Sequence, residues 1–227
     1  MIALMYLAVA VISYFLGSIP SGLIVSRRSS KVDLRQVGSG KTGTTNVLRT
    51  AGKKAAVLVL IMDMAKGALS VFLATLIFGK QYGTIAGYSI WLTPSAQVLA
   101  AFSAIIGHTW SVFVKFKGGR GVATFLGGLL ILCPPAALFG AEVLVIGAGL
   151  TRYMSLGSIA GAVSTYAILV PLTIFNGFPV EYLIFSLFGT VFIIIMHRDN
   201  IARLLMGRER KIGEKVHIQQ PSPGNQE

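Results

Sequence analysis

A chain of 227 residues that is 54% hydrophobic and only 12% charged, with a mean hydropathy of +0.73, is too apolar for an ordinary soluble domain. Its formal net charge of +12 does not call for nucleic acid, because the basic residues collect in a few loops between apolar runs. A single cysteine, Cys133, excludes an intrachain disulfide and a thiol-based metal cluster, and nothing in the sequence asks for a metal or another cofactor.

Apolar runs lie at about residues 2–25, 55–78, 96–114, 122–134, 136–151, 156–175 and 180–196. The first is too long for a removable leader, and it lacks a basic start and a small-residue cleavage pattern, so it reads as a span. The fourth and fifth are short and meet at Cys133-Pro134-Pro135, where two missing amide donors break the helix. They read either as two spans or as one re-entrant hairpin. The expected fold is all-α: a polytopic membrane protein of about seven transmembrane helices, one domain over residues 1–206 and a polar tail at 207–227 too hydrophilic to bury a core. If all seven cross, loops 26–54, 115–121, 152–155 and 197–227 share one face, and they carry 8, 3, 1 and 6 Lys or Arg residues, 18 of the 20 in the chain. Cytoplasmic loops accumulate such residues, which sets the N-terminus outside and the C-terminus in the cytoplasm.

The loop after the first run holds Gly38-Ser39-Gly40-Lys41-Thr42-Gly43-Thr44-Thr45-Asn46, then Arg49. Glycines let main-chain amides converge on an anion, hydroxyls add donors, and an arginine grips two oxygens in a fork. A nucleotide-binding P-loop would need glycine at Arg35 and a preceding strand, so that reading fails; a flexible polar linker remains open. In the second span, Asp63 and Lys66 share a helical face, a costly pair in hydrocarbon unless it meets itself or other protein groups. It reads equally as support for a phosphate site or as a neutralising structural pair.

After the third run come Gly107-His108 and then Phe116-Lys117-Gly118-Gly119-Arg120-Gly121, where a helix opening behind glycines and cations would offer free amides to an anion. A tight turn with topology charges explains the same residues. The remaining clusters are Arg152-Tyr153-Met154-Ser155 and His197-Arg198-Asp199-Asn200, with Arg203, Gly207 and Glu209 beyond. His197 and Asn200, three apart on a helix, share a side. An imidazole can take a hydroxyl proton near neutral pH while an amide orients or polarises, and an interfacial cap is the plainer alternative.

Taken in order, Gly17-Ser18-Ile19-Pro20, Gly38-Ser39-Gly40 with Thr45-Asn46 and Arg49, Gly107-His108 with Phe116-Lys117-Gly118-Gly119, Arg152-Tyr153 with Ser155, and His197-Arg198 with Asn200 resemble the bacterial acyl-phosphate:glycerol-3-phosphate acyltransferase family. The resemblance runs from the first span to about Glu209. It implies a seven-helix enzyme of the bacterial cytoplasmic (inner) membrane, its active site facing the cytoplasm, that moves an acyl group from acyl phosphate to glycerol 3-phosphate and yields lysophosphatidic acid for phospholipid biosynthesis. Membrane lipid and a soluble enzyme supplying acyl phosphate are the partners it implies. By resemblance His197, Asn200 and Ser39 are the catalytic residues. Gly38, Gly40, Thr45, Asn46, Arg49, Lys117, Gly118, Gly119 and Ser155 are the substrate-binding ones. The chain departs from the family pattern at Lys41, where asparagine is usual, at Thr44, where alanine is common, and at Arg120, where lysine is common. The histidine-then-aspartate pattern of other glycerol-phosphate acyltransferases is absent: five residues past His108, His197 and His217 stand Phe113, Ala202 and Ser222.

Two phosphate-bearing substrates would give the basic loops one purpose, holding anions that otherwise repel, while the activated anhydride needs chiefly orientation and proton removal. Either His197 or the donor's own phosphate would take that proton. The rival class is a membrane transporter or channel for a phosphorylated anion, whose site would be expected near the midplane, often between repeated halves.

Overall fold

The computed structural model describes residues 1–85 and 88–214. In chain order these form α1 (Ile2–Ser18), α2 (Ser21–Ser29), α3 (Thr44–Phe78), β1 (Tyr82–Ile85), β2 (Tyr88–Trp91), α4 (Thr93–Thr109), α5 (Val122–Leu132), α6 (Pro134–Thr151), α7 (Met154–Asn176), α8 (Val180–Met196) and α9 (Arg198–Leu205), with a 3₁₀ turn at Val112–Val114. Proline marks several starts: Pro20 precedes α2, Pro94 sits in the first turn of α4, and Pro134-Pro135 open α6, positions where an amide would have no helical partner. α7 ends on Gly177 in the left-handed region, and Pro179 precedes α8.

The helices pack as a bundle that carries many large apolar side chains on its outer surface. Leu58, Ile61, Leu76, Leu138, Val145, Phe175, Phe188 and Ile195 are exposed, as suits a surface solvated by lipid. Inside, Phe125 packs between α5 and α8 on Phe185, which also meets Phe102 edge-on. Interhelical hydrogen bonds join α3, α4 and α8 through Gln97, which donates to Thr75 Oγ1 at 2.7 Å and accepts from Tyr182 at 2.5 Å. α3 and α5 approach at backbone distance, since a methyl on Gly67 would strike Thr124 O and one on Gly127 would strike Met64 O.

Apolar helices lie where the hydropathy predicts them, with four differences of detail. The first run, expected as one span over residues 2–25, divides at Ile19-Pro20 into α1 and α2. The stretch between the second and third apolar runs holds an antiparallel hairpin, Tyr82 paired with Trp91 through Ile85 with Tyr88, a small strand element beside the expected helices. α3 begins eleven residues before the expected run, and Gly52, at φ +84°, breaks it into a short polar segment carrying Arg49 and a long apolar one. α8 and α9 meet at a 59° bend at His197.

Among the described residues five helical stretches are long and apolar enough to cross a bilayer, and the bent α8–α9 pair would be a sixth. α5 has 11 residues, about 16 Å at 1.5 Å per residue, half the hydrocarbon thickness. Of the tail expected at 207–227, residues 207–214 turn back toward the bundle: Ile212 N donates to Arg152 O at 2.7 Å and Arg152 Nη2 donates to Ile212 O at 3.1 Å. Residues 215–227, His217 among them, lie outside the described residues.

Candidate active site

The first loop is built around Asn46. Its side-chain amide donates to Leu34 O (3.1 Å), Val37 O (3.1 Å) and Lys41 O (2.9 Å), and its Oδ1 accepts from Ser39 N at 3.3 Å. Asn46 is buried, and every one of these bonds serves the loop. Gly38 and Gly40 have φ of +63° and +67°, and a methyl on Gly38 would strike Asn46 Oδ1, so glycine is required where the chain wraps this side chain. The wrapping presents Ser39 and Lys41 beside Thr45, in the first turn of α3, on the walls of the cavity described below.

The second loop rests on the end of α4. Gly118 N donates to Thr109 O (3.0 Å) and Gly119 N to His108 O (3.1 Å), so these two amides are already used. Both glycines are buried, and methyls there would strike His108 O and His108 Nε2. Lys115 and Phe116 take left-handed φ of 55° and 59°, a turn that leaves Lys117 exposed and carries Arg120 inward. Arg120 Nε is buried without a hydrogen-bond partner among the described residues. Burial pulls its pKa down to about 10.

The third and fourth clusters meet through Glu209. Its Oε1 accepts from Ser155 Oγ (2.9 Å) and Asn200 Nδ2 (2.6 Å), and its Oε2 from Arg203 Nε (2.8 Å). Burial alone would raise this carboxyl; the hydrogen bonds from Asn200, Arg203 and Ser155 overcome that and leave it below its ordinary value. His197, 2% exposed at the bend, places Nδ1 2.8 Å from Ile193 O. A carbonyl can only accept, so Nδ1 carries the proton and the neutral ring keeps its lone pair on Nε2.

All four clusters line one polar cavity of about 200 Å³, whose walls include Ser39, Lys41, Thr45, Arg49, Arg120, Ser155, His197, Asn200, Arg203 and Arg210. Five Lys or Arg side chains face it against the carboxylates of Asp199 and Glu209, a surplus suited to an anion of more than one charge. A second cavity, about 260 Å³ and mainly apolar, runs from there between α3, α5 and α6 along Leu60, Val122, Leu126, Leu144 and Val145. Ser39, Lys41, Thr45, Arg120, Met154, Ser158 and His197 belong to the walls of both. A water-soluble anion and an apolar chain can therefore reach the same few polar groups from opposite directions. Among the described residues no three His, Cys, Asp or Glu side chains gather as metal ligands.

A family profile described as glycerol-3-phosphate acyltransferase matches residues 7–207. Glycerol-3-phosphate acyltransferase 3 of Dehalococcoides mccartyi strain CBDB1 is 57% identical over 92% of this chain and 97% of its own. The glycerol-3-phosphate acyltransferase of Brucella anthropi is 43% identical over 94% of this chain and 96% of its own. Crystal structures of PlsY (YgiH), an integral membrane glycerol 3-phosphate acyltransferase, superpose with TM-scores of 0.78 in the glycerol 3-phosphate form and 0.76 in the lysophosphatidic acid form. They are 36% and 35% identical to this chain, over 92% of it and 96% and 95% of theirs. The chain belongs to the glycerol-3-phosphate acyltransferase family. It is a multi-pass membrane acyltransferase, and the carrier reading is set aside.

In this acyltransferase Ser39, Gly38, Thr45, Arg49, Ser155, His197 and Asn200 come together in the polar cavity. Asn46 lies behind Ser39 and reaches only the apolar one, while Gly40, Lys117, Gly118 and Gly119 line neither. Arg120 and Glu209 were not among the site residues expected from the sequence. For Arg120 a signal existed, a cation opening α5 between glycines; Glu209 was placed beside the fourth cluster, but its bond to Ser155, 54 residues away, could not be read from spacing. Glu209→Ala, which strips three hydrogen bonds from buried groups, is expected to cost about 1–3 kcal/mol, toward the lower figure because Arg203 is partly exposed. The drop in Tm of the purified protein measures it.

Proposed function

We propose that this acyltransferase transfers the acyl group of an acyl phosphate to glycerol 3-phosphate, releasing inorganic phosphate and forming 1-acylglycerol 3-phosphate (lysophosphatidic acid), at the cytoplasmic face of the bacterial inner membrane. The observation that carries the reading is the wall shared by the polar and apolar cavities. Glycerol 3-phosphate enters the polar cavity from the aqueous side, its phosphate met by Arg49, Arg120 and the amides at the start of α3, with Ser39 and Ser155 as hydroxyl donors. The acyl chain lies along Leu60, Leu126, Leu144 and Val145, which brings its carbonyl to the rim at His197 and Arg120. Eighteen of the chain's 20 Lys and Arg residues fall in the four loops expected to share this face, the distribution of a cytoplasmic surface. A soluble enzyme supplying acyl phosphate would be the partner on that side.

In the reaction the acceptor hydroxyl attacks the acyl carbonyl carbon, a new C–O ester bond forms, and the bond from that carbon to the phosphate oxygen breaks. The electron pair of the broken bond leaves on phosphate. His197 Nε2 takes the hydroxyl proton and returns it to the departing phosphate. Asn200, whose Oδ1 is buried without a partner among the described residues, orients the acceptor, and Arg120 holds a substrate phosphate equally in the ground and transition states. The donor is already an activated anhydride, so orientation and charge neutralisation supply most of what is needed, without a covalent enzyme intermediate. Donor comparison tests the proposal: purified protein given glycerol 3-phosphate should form lysophosphatidic acid from acyl phosphate and none from acyl-CoA or acyl carrier protein. Product from either of those alone would overturn the donor assignment.

A further inference from the structure

A buried ionic cluster next to the active site belongs to none of the steps above. Asp63 and Lys66 from α3, Ser21 from α2 and His108 from α4 are all buried. Three of these groups converge on one oxygen: Lys66 Nζ lies 2.6 Å from Asp63 Oδ1, Ser21 Oγ donates to the same atom, and His108 Nδ1 stands 3.5 Å from it. Lys66 also donates to Ser21 Oγ at 2.9 Å. The ammonium neutralises the carboxylate and fixes it, which makes burial of the pair tolerable.

We propose that Asp63, acting through His108, positions Arg120 for anion binding. The proposal rests on the reading above in which Arg120 meets a substrate phosphate. The His108 ring lies directly beneath Gly119, so close that a methyl there would strike Nε2, and the His108 and Thr109 carbonyls hold the Gly119 and Gly118 amides. Arg120 is the next residue, and its guanidinium stands in the shared wall with Nε unpaired among the described residues. A ring beneath a glycine backbone can turn about its own bond, and each orientation sets the loop at a different height. Asp63 draws Nδ1 to one side and selects one orientation, which settles where Arg120 enters the cavity. Asp63 and His108 also line the apolar cavity, and His108, Lys66 and Gly118 line a void of about 10 Å³.

A positioning role differs from a purely structural one in which kinetic parameter moves. His108→Gln and Asp63→Asn are expected to raise KM for a phosphate-bearing substrate about tenfold or more while kcat of the folded protein stays within a few-fold. In an Arg120→Ala background the same substitutions should raise KM no further, because the group they position is gone. A fall in kcat with KM unmoved, or a KM rise that persists in full without Arg120, would overturn the proposal. Arg120→Ala alone separates the two levels: if it leaves KM for both substrates unchanged, the phosphate reading of Arg120 fails and this proposal with it. If either variant does not fold, Gly119→Ala, whose methyl pushes the loop off the His108 ring, carries the same test: KM should rise with Arg120 present and rise no further in an Arg120→Ala background, and a full additional rise there would refute the brace.

Discussion

Replacing His197 with alanine is expected to lower kcat about 10²- to 10⁴-fold, the usual worth of a positioned general base, with KM for glycerol 3-phosphate changed only a few-fold. His197 is 2% exposed, tethered through Nδ1 to Ile193 O, and part of the walls of both cavities, so Nε2 is the ring nitrogen left for chemistry where the substrates meet. His197→Gln separates proton transfer from placement. It keeps a hydrogen-bonding side chain of similar reach and has no titratable nitrogen, so it should stay near the alanine level if the proton goes to the ring. Turnover recovering to within a few-fold of the wild type in His197→Gln would mean that the ring only orients and that the donor's phosphate takes the proton. The measurement is a steady-state profile in both substrates on protein shown to be folded by Tm and gel filtration.

Arg120→Ala is expected to raise KM about 10- to 100-fold, the worth of a charge-assisted hydrogen bond lost inside a partly desolvated site. Its guanidinium is the cation whose Nε is buried and unpaired among the described residues, and it stands in the shared wall. Arg120→Lys should recover part of the loss, keeping the charge while giving up the two-pronged geometry. Lys117→Ala is expected to change KM no more than about twofold, since an exposed cation outside the cavity is screened by solvent. An effect at Lys117 equal to that at Arg120 would show that the loop sits differently when substrate is bound. Glycerol 3-phosphate titrations of the three variants decide this without the chemical step.

The sequence by itself determined where the apolar helices run, because a backbone in hydrocarbon satisfies its amides only by closing on itself, and long apolar runs record that demand directly. It also determined the family, since motifs in a fixed order survive without any knowledge of contacts. Tertiary structure alone decided which motif residues reach the cavity. Asn46 reads as a substrate ligand, yet four hydrogen bonds bind it to its own loop. Gly118 and Gly119 read as an anion cradle, yet their amides go to α4. Lys117 and Arg120 are alike in charge and three residues apart, and two left-handed residues before them turn one outward and the other in. Glu209 closes onto Ser155 of α7, 54 residues away, a partner that spacing could not foresee. Hydropathy is a property each segment carries alone, whereas the direction of a side chain in an irregular loop depends on what the rest of the chain places against it.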